Sequence, residues 1–333
     1  SGTLRGSGDG RLEISTAGRF EPTGVGVFEL TGAARVDHIS GVVGAVGGNM
    51  VNRGAVLMRG GETAGAYTNA ASSSDPNRPE PTDFTFEGGR IKDTFLNNGD
   101  FTWRNGGFIE GQFTNDPAAG RGMTIAGSNN LLLAAGATLT SRGDITHSGD
   151  ATLQLGENAL LVNDTGAFYI FQAGGDISRV ANVVENARMI NRGNIINQAI
   201  TSSINVPFLN EGGTIEAIED LQINGAPGVT GGEAQISGGV LESSVGLLST
   251  LSAALSGTIV HELNNGGNIL HNGPTVSNAT FQLRGQGQVD VDASTVNAAL
   301  AIASQDGATL EFEGGHTWNG AVSASGGTTR FQG

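Results

Sequence analysis

The residues of this 333-residue chain that are best suited to chemistry are carboxylates alternating with apolar residues. Asp290 and Asp292 flank Val291, and Glu311 and Glu313 stand in the same relation. In an extended strand such neighbours lie roughly 6.5–7 Å apart on one face. That spacing suits a calcium ion or the acid and base roles of glycoside hydrolysis. It is also typical of an ordinary strand whose charged face meets solvent, which is the interpretation we favour.

Other residue types that catalyse reactions or bind metals are scattered along the sequence. No two histidines have the spacing of a metal-binding pair, such as i, i+4 beside a glutamate. The chain contains no cysteine, which excludes disulfides, thiolate metal sites and a cysteine nucleophile. We therefore predict no catalytic residue, no cofactor and no metal ion. The five histidines are His38, His147, His261, His271 and His316.

Charge and hydropathy limit the partners of the chain. The net charge is −15, and the positive side chains are sixteen arginines and a single lysine, Lys92. An acidic chain without basic runs is poorly suited to nucleic acid or anionic lipid. The longest apolar stretch, from Val245 to Val260, is interrupted by Gly246 and Gly257, so we expect no membrane insertion by this segment.

Short alternating segments predict the elements that would position these side chains. Runs such as Asp83–Glu87, Ala151–Leu155 and Thr309–Glu313 place polar and apolar residues in turn. A period of two over about five residues is typical of a strand with one buried face. We therefore predict an all-β chain.

A recurring phrase predicts how the strands are connected. Apolar residues precede an Asn, a spacer and a Gly, and the marker glycines lie 19 to 54 residues apart. The implied coil of about 19–27 residues is within the period of solenoids. Because Asn and Gly tolerate a left-handed backbone, and stacked Asn amides bond to one another, the phrase predicts the corners of a parallel β-helix. The predicted corner residues are Asn52, Gly54, Asn97, Gly99, Gly143, Asn191, Gly193, Asn210, Gly212, Asn264, Gly266 and Gly307.

Two phrases also carry a family likeness. The segments Phe101–Asn115 and Ile190–Ile195 resemble the repeats of bacterial surface β-solenoid adhesins, namely autotransporter passengers and filamentous-haemagglutinin-like proteins. The resemblance implies a right-handed parallel β-helix that is exported to the cell surface, usually for adhesion. It carries no functional residue of the family onto a position in this sequence.

Breaks in the repeat complete the predicted organisation. We expect residues 1–333 to form a single continuous β-solenoid, with a Pro- and Ser-rich loop projecting over 64–82 and a lateral insert or short helix over 176–189. Three of the eight prolines lie in the first of these segments, and proline lacks the donor that a sheet ladder needs. Both ends read as the interior of a repeat, which is typical of a piece of a longer protein and of subunits that stack end to end.

Together these patterns favour a non-enzymatic structural or adhesive segment of an exported bacterial surface protein, located outside the cell. The expected partners are a surface glycan, a protein ligand, or copies of the chain stacked head to tail into an extracellular filament. The alternative is a polysaccharide-degrading β-helix enzyme. That alternative requires carboxylates from three or more coils to meet in one groove.

Overall fold

The computed structural model describes residues 2–15, 18–22, 24–30, 34–45, 47–70, 83–117, 121–181, 186–198, 201–225, 234–244, 246–305 and 307–332. The chain divides into two compact units, residues 1–161 (unit 1) and 162–333 (unit 2). The described residues of both units are all-β and contain no helix, and their strands pair in parallel from one coil to the next. Each unit is therefore a parallel β-solenoid, as the sequence predicts.

In unit 1 every coil contributes one strand to each of three faces. Face A contains Gly2–Gly6, Val25–Leu30, Asn49–Arg53, Ala66–Asn69, Thr94–Asn97, Gln112–Asn115 and Thr138–Ser141. Face B contains Arg11–Ile14, Arg35–His38, Ala55–Met58, Asp83–Phe86, Asp100–Arg104, Gly122–Ala126 and Asp144–His147. Face C contains Arg19–Phe20, Val42–Val43, Glu62–Thr63, Arg90–Ile91, Phe108–Ile109, Leu131–Leu133 and Thr152–Leu155. The strand Leu160–Asn163 crosses the boundary between the units.

Unit 2 has the same plan, with faces that we call D, E and F. Face D contains Arg188–Asn191, Phe208–Asn210, Thr295–Val296 and Thr317–Trp318. Face E contains Phe168–Phe171, Asn194–Asn197, Thr214–Ala217, Leu300–Ser304 and Val322–Ser325. The long strands Ala234–Ser243, Ala254–Leu263 and Thr275–Gly285 run from face D into face E. Face F contains Asp176–Arg179, Thr201–Asn205, Asp220–Ile223, Leu247–Leu251, Asn268–Asn272, Gln288–Asp292, Thr309–Glu313 and Thr328–Phe331.

The alternation in sequence decides which side chains are buried. In unit 1 the inward positions of consecutive coils bring aromatic rings together: Tyr67, Phe95 and Phe113 stack with centroids 5.1 and 4.9 Å apart. Phe84 and Phe101 form a second stack at 5.4 Å and meet the first edge-on. Offset stacks and edge-to-face contacts are the favourable arrangements of aromatic rings. The core of unit 1 is therefore built from columns of like residues.

Registered residues in neighbouring coils are 17 to 28 positions apart in sequence, a wider range than the coil length predicted from the glycines. Within the longest spacing lie residues 71–82, which are outside the described residues. Within the segment predicted as a projecting loop, 64–82, Ala66–Asn69 is a strand of face A in register with Asn49–Asn52.

The segment expected as an insert or short helix over 176–189 is also partly strand. Asp176–Arg179 belongs to face F and Arg188–Asn191 to face D. Its residues 182–185 lie outside the described residues. No helix occurs in the described part of this segment.

Candidate functional site

Buried amides join consecutive coils of unit 1 where face A turns into face B. The Nδ2 of Asn52 donates to Oδ1 of Asn69 at 2.8 Å, and Asn69 donates in the same way to Asn97 at 2.7 Å. The ladder continues from Asn97 to Asn115 at 2.8 Å and from Asn115 to the hydroxyl of Ser141 at 2.8 Å. All five side chains are fully buried. Oδ1 of Asn52, at the start of the ladder, has no hydrogen-bond partner among the described residues. The amides and the hydroxyl that follow it are stable in the interior because they are hydrogen-bonded.

Several ladder amides also bond to the backbone of the turn that follows. The Nδ2 of Asn69 donates to the carbonyl of Asp100 at 2.9 Å, and that of Asn115 donates to the carbonyl of Asp144 at 3.1 Å. Asn52 donates instead to a carbonyl of its own coil, that of Gly54, at 2.8 Å. Two of the ladder amides therefore hold the first residue of a face-B strand, Asp100 and Asp144, in place.

Unit 2 has a shorter ladder of the same kind. Asn163 donates to Asn191 at 2.8 Å, and Asn191 donates to Asn210 at 2.7 Å. The next registered residue is Ile236, so Asn210 turns to the carbonyls of Gly213 and Gly238 at 2.9 and 3.0 Å.

Only some of the predicted corner residues adopt the left-handed backbone conformation. Gly212, Gly266 and Gly307 have φ of 78°, 80° and 85°. Gly54 and Gly143 have an ordinary φ, but a Cβ would lie 2.4 Å from Cβ of Leu30 or 2.3 Å from the ring of Pro117.

The other predicted corner residues have different roles. A Cβ on Gly193 would lie 2.4 Å from the carbonyl oxygen of Ala167. Gly99 is buried between Thr94–Asn97 and Asp100–Arg104. Asn264 is exposed, follows face E rather than a ladder strand, and donates to Glu242 at 2.7 Å.

Four ladder members, Asn69, Asn115, Ser141 and Asn163, are absent from the predicted set. The prediction required a Gly two residues after the Asn. Tyr67-Thr68-Asn69 and Phe113-Thr114-Asn115 lack that Gly but keep a buried aromatic residue two positions before the Asn. An inward aromatic followed at i+2 by Asn was the signal that would have found Asn69 and Asn115. Ser141 and Asn163 follow a buried leucine instead.

Two of the histidines are corner residues. His38 Nε2 lies 3.2 Å from the carbonyl of Gly41, and His147 Nε2 lies 2.7 Å from the carbonyl of Ala151. Trp103 on the same face donates from Nε1 to the carbonyl of Gly106 at 2.8 Å. These rings end strands of face B and satisfy a carbonyl of the next turn. Nδ1 of a third histidine, His316, accepts a hydrogen bond from the backbone N–H of Ser294 at 3.1 Å and lies 2.9 Å from the hydroxyl oxygen of the same residue.

The remaining two histidines form a pair inside unit 2. Nε2 of His261 on face E lies 3.0 Å from Nε2 of His271 on face F, and Thr250 Oγ1 lies 2.9 Å from Nδ1 of His271. Both imidazoles are fully buried. Burial lowers the pKa of His271 to about 4. Burial, reinforced by His271, lowers the pKa of His261 well below its usual range.

The carboxylates singled out in the sequence lie on the outer side of face F. Asp290 is in register with Glu311, and Asp292 is in register with Glu313. Gln288 donates from Nε2 to Glu311 at 2.8 Å and also contacts Asp290. Burial raises the pKa of Asp290, and the neighbouring Glu311 and Asp292 raise it further against the Gln288 hydrogen bond.

A second column of carboxylates lies on the outer side of face E. Glu216, Glu242 and Glu262 are in register in three consecutive coils, and Arg284 follows them. The pKa of Glu216 is raised by burial and by the neighbouring Glu242. Arg284 Nη1 donates to Glu262 at 3.2 Å. Among the described residues, no group of three or more His, Asp or Glu side chains is arranged to hold a metal ion.

The outer side of face B carries a regular row of polar residues, which we call the Asp/Thr strip. Its threonines are in register in four consecutive coils, and its aspartates occupy the strand position two residues earlier. The members are Asp83, Thr85, Asp100, Thr102, Thr124, Asp144 and Thr146. All four threonines are half-buried. Parallel strands repeat at about 4.8 Å, so the strip is a grid of hydroxyls and carboxylates.

Two arginines border this grid among the described residues. Nη1 of Arg121 lies 2.9 Å from Asp100, and Arg104 occupies the next outward position after Thr102 on the same strand. The pKa of Asp83 is raised by burial and by the nearby Asp100, and Arg121 partly opposes this effect. The strip therefore combines acceptors and hydroxyl donors on one face, with guanidinium groups at its border.

Comparison of the chain with family models, with curated proteins and with solved structures returns no match. In the part of the chain that the structure describes, no helix has the length and apolar character needed to cross a membrane.

Proposed function

We propose that this chain is a non-enzymatic structural and adhesive segment of an exported bacterial surface protein, and that the Asp/Thr strip is its adhesive surface. The observation that carries the proposal is the register of the strip, because one hydroxyl column runs through four coils of face B. The resemblance of the repeat to surface adhesins supports an extracellular location. Head-to-tail association of copies stays a prediction from the sequence.

A surface glycan is the ligand class that this grid fits. Threonine hydroxyls donate and accept, and carboxylates accept, so both can pair with sugar hydroxyls. A row that repeats from coil to coil can engage successive sugars of an extended polymer, and many weak bonds then add to a useful avidity. Because the chain carries a net charge of −15, we expect neutral or amino-sugar polymers to bind better than acidic ones.

The test removes hydroxyls without changing side-chain shape. In the double variant Thr102→Val/Thr124→Val, two hydroxyls are lost from the centre of the strip, each contributing about 1 kcal/mol if it is bonded to the ligand. We expect binding to immobilised neutral and amino-sugar polysaccharides to weaken about 30-fold. Valine favours strands as threonine does, so the fold should be retained.

A matched control lies on another face of the same unit. Thr114 and Thr140 are in register on the outer side of face A and are equally half-buried. Thr114→Val/Thr140→Val should therefore leave binding unchanged. Equal losses in both double variants, or no binding by the unmodified protein to any polymer in the panel, would count against the strip.

A polysaccharide-degrading enzyme is the second candidate, and the Asp290–Glu311 pair is the observation in its favour. The residues in register with the pair in the flanking coils are Leu270 and Arg330, so this column supplies carboxylates from two coils rather than the three that such an enzyme requires. Asp290 has a raised pKa and lies in register with a nearly buried carboxylate, Glu311. Glycosidases use two carboxyl groups of this kind, one as the general acid and the other as the base or nucleophile. Release of reducing sugar ends that disappears in both Asp290→Asn and Glu311→Gln would support this candidate and contradict a non-enzymatic segment.

A further inference from the structure

The hydrogen bond between His261 and His271 limits the protonation states that the two imidazoles can adopt. A hydrogen bond between two Nε2 atoms 3.0 Å apart needs one nitrogen to carry a hydrogen and the other to accept it. The neutral pair meets this requirement. If both imidazoles were protonated, two N–H groups would face each other across that distance.

A singly protonated pair is also poorly accommodated. One Nε2 must still accept from the other, so both Nδ1 atoms then carry a hydrogen; that of His271 can donate to Thr250, which leaves Nδ1 of His261. That atom is buried and has no hydrogen-bond partner among the described residues. A buried charge without a partner is strongly unfavourable.

No described residue in register with the pair carries a charge. The described residues in register with His261 are Leu241 and Leu283, and those in register with His271 are Thr250 and Val291. Phe281 contacts both imidazoles, with ring centroids 5.0 and 6.2 Å away.

The ionisable residues of the packed strands occupy the alternate, outward positions. These residues are Glu242, Glu262, Arg284, Asp290 and Asp292. Among the described residues, therefore, only Thr250 presents a polar group to the pair from the elements packed against it.

We propose that the His261–His271 pair is an acid-sensitive switch, which keeps the coils of residues 247–285 closed while both imidazoles are neutral and opens them when the pair takes up a proton. The switch is independent of the Asp/Thr strip, which belongs to the other unit. It gives an extracellular protein a means of responding to acidification.

The direction of the pH effect follows from linkage. An imidazole in the unfolded chain titrates near its usual pKa of about 6.5, whereas burial lowers the pKa of His271 to about 4 and also lowers that of His261. The opened coils therefore bind more protons than the closed ones as pH falls below 6.5, and the closed state loses stability. At pH 5 each histidine favours opening about 30-fold, and the two together about 1,000-fold.

The experiment compares hydrogen exchange of the intact protein at pH 7.5 and pH 5.0, expressed as protection factors corrected for intrinsic exchange. We expect amides in 247–285 to lose protection by two to three orders of magnitude, as the linkage factor requires. The double variant His261→Leu/His271→Val replaces each histidine by the residue next to it in register, Leu283 and Val291. In that variant the loss should disappear.

His147→Ile supplies the control, because it removes a buried histidine of unit 1 and inserts the residue in register with it, Ile125. It should leave the acid response of 247–285 intact. An acid response that persists in the double variant overturns the proposal. If that variant does not fold, the titration of the two imidazoles in the unmodified protein, followed by NMR, decides the question. Titration midpoints at or above pH 6.5 for both His261 and His271 overturn the proposal, and midpoints well below pH 6.5 support it.

Discussion

Each asparagine inside the ladder of unit 1 serves two neighbours, one in the preceding coil and one in the following coil. Asn97 accepts from Asn69 at 2.7 Å and donates to Asn115 at 2.8 Å, with its side chain fully buried. The amide has no water to replace these partners. Apolar packing alone would allow one coil to shift in register against the next. A few buried amides prevent this shift, because each one bonds to a defined partner in the neighbouring coil.

We expect Asn97→Leu to destabilise unit 1 by about 2–4 kcal/mol, since a donor on Asn69 and an acceptor on Asn115 are left buried and unbonded at about 1–3 kcal/mol each. Urea unfolding followed by circular dichroism measures the change. Asn129→Ala serves as the control, because Asn129 is exposed and makes only a long bond of 3.4 Å to the carbonyl of Asn105. If Asn97→Leu lowers the free energy of unfolding no more than Asn129→Ala does, the ladder does not stabilise the fold.

Strands in this chain are stabilised or strained by the columns that register creates. The outward column Glu216, Glu242 and Glu262 stacks like charges in neighbouring coils, and Arg284 is bonded only to the last of them. Like charges directly opposite each other weaken a sheet. Columns that alternate in sign, such as Arg5, Glu29 and Arg53 on face A, lack this repulsion.

The glutamate column predicts a stabilising substitution. Because the pKa of Glu216 is raised in the folded protein, its charge costs stability at neutral pH, and that cost is relieved as pH falls towards the pKa of the unfolded chain. Glu216→Gln should therefore raise the thermal midpoint of unit 2 at pH 7.5, by an amount equivalent to at most about 1 kcal/mol, and the gain should shrink near pH 4. Glu219→Gln, at an exposed glutamate outside the column, should leave the midpoint unchanged. A lower midpoint for Glu216→Gln would contradict the assignment of repulsion.

The sequence predicts the strand faces well, because alternation is a local property. Asp83, Phe84 and Thr85 already show which side chain is buried. Register is different: Asn264 follows the same phrase as Asn52, yet it lies at a different corner and outside the ladder. Coils of 17 to 28 residues have no fixed period from which such equivalence could be counted. The Asp/Thr strip depends wholly on register, so no local pattern reveals it.

Across the whole molecule, both units are built by hydrogen bonds between residues distant in sequence, such as the ladder bonds that join residues 17 and 28 positions apart. Long-range pairing of this kind makes folding slow, because the chain loses conformational entropy when a coil closes before the new contacts stabilise it. It also converts a variable sequence into outer faces of regular spacing. The aromatic columns of unit 1 and the paired histidines of unit 2 show that the same coil plan accommodates different cores.

The Asp/Thr strip exists only if face-B strands of adjacent coils are in parallel register, and cysteine cross-linking measures that register because the chain contains no cysteine of its own. Thr85 and Thr102 are in register in adjacent coils, whereas Thr85 and Thr124 are two coils apart, or about 9.6 Å. Disulfides need Cα atoms within about 7 Å. We expect Thr85→Cys/Thr102→Cys to form an intramolecular disulfide under mild oxidation and Thr85→Cys/Thr124→Cys to form none. The reverse result would contradict the register and, with it, the Asp/Thr strip.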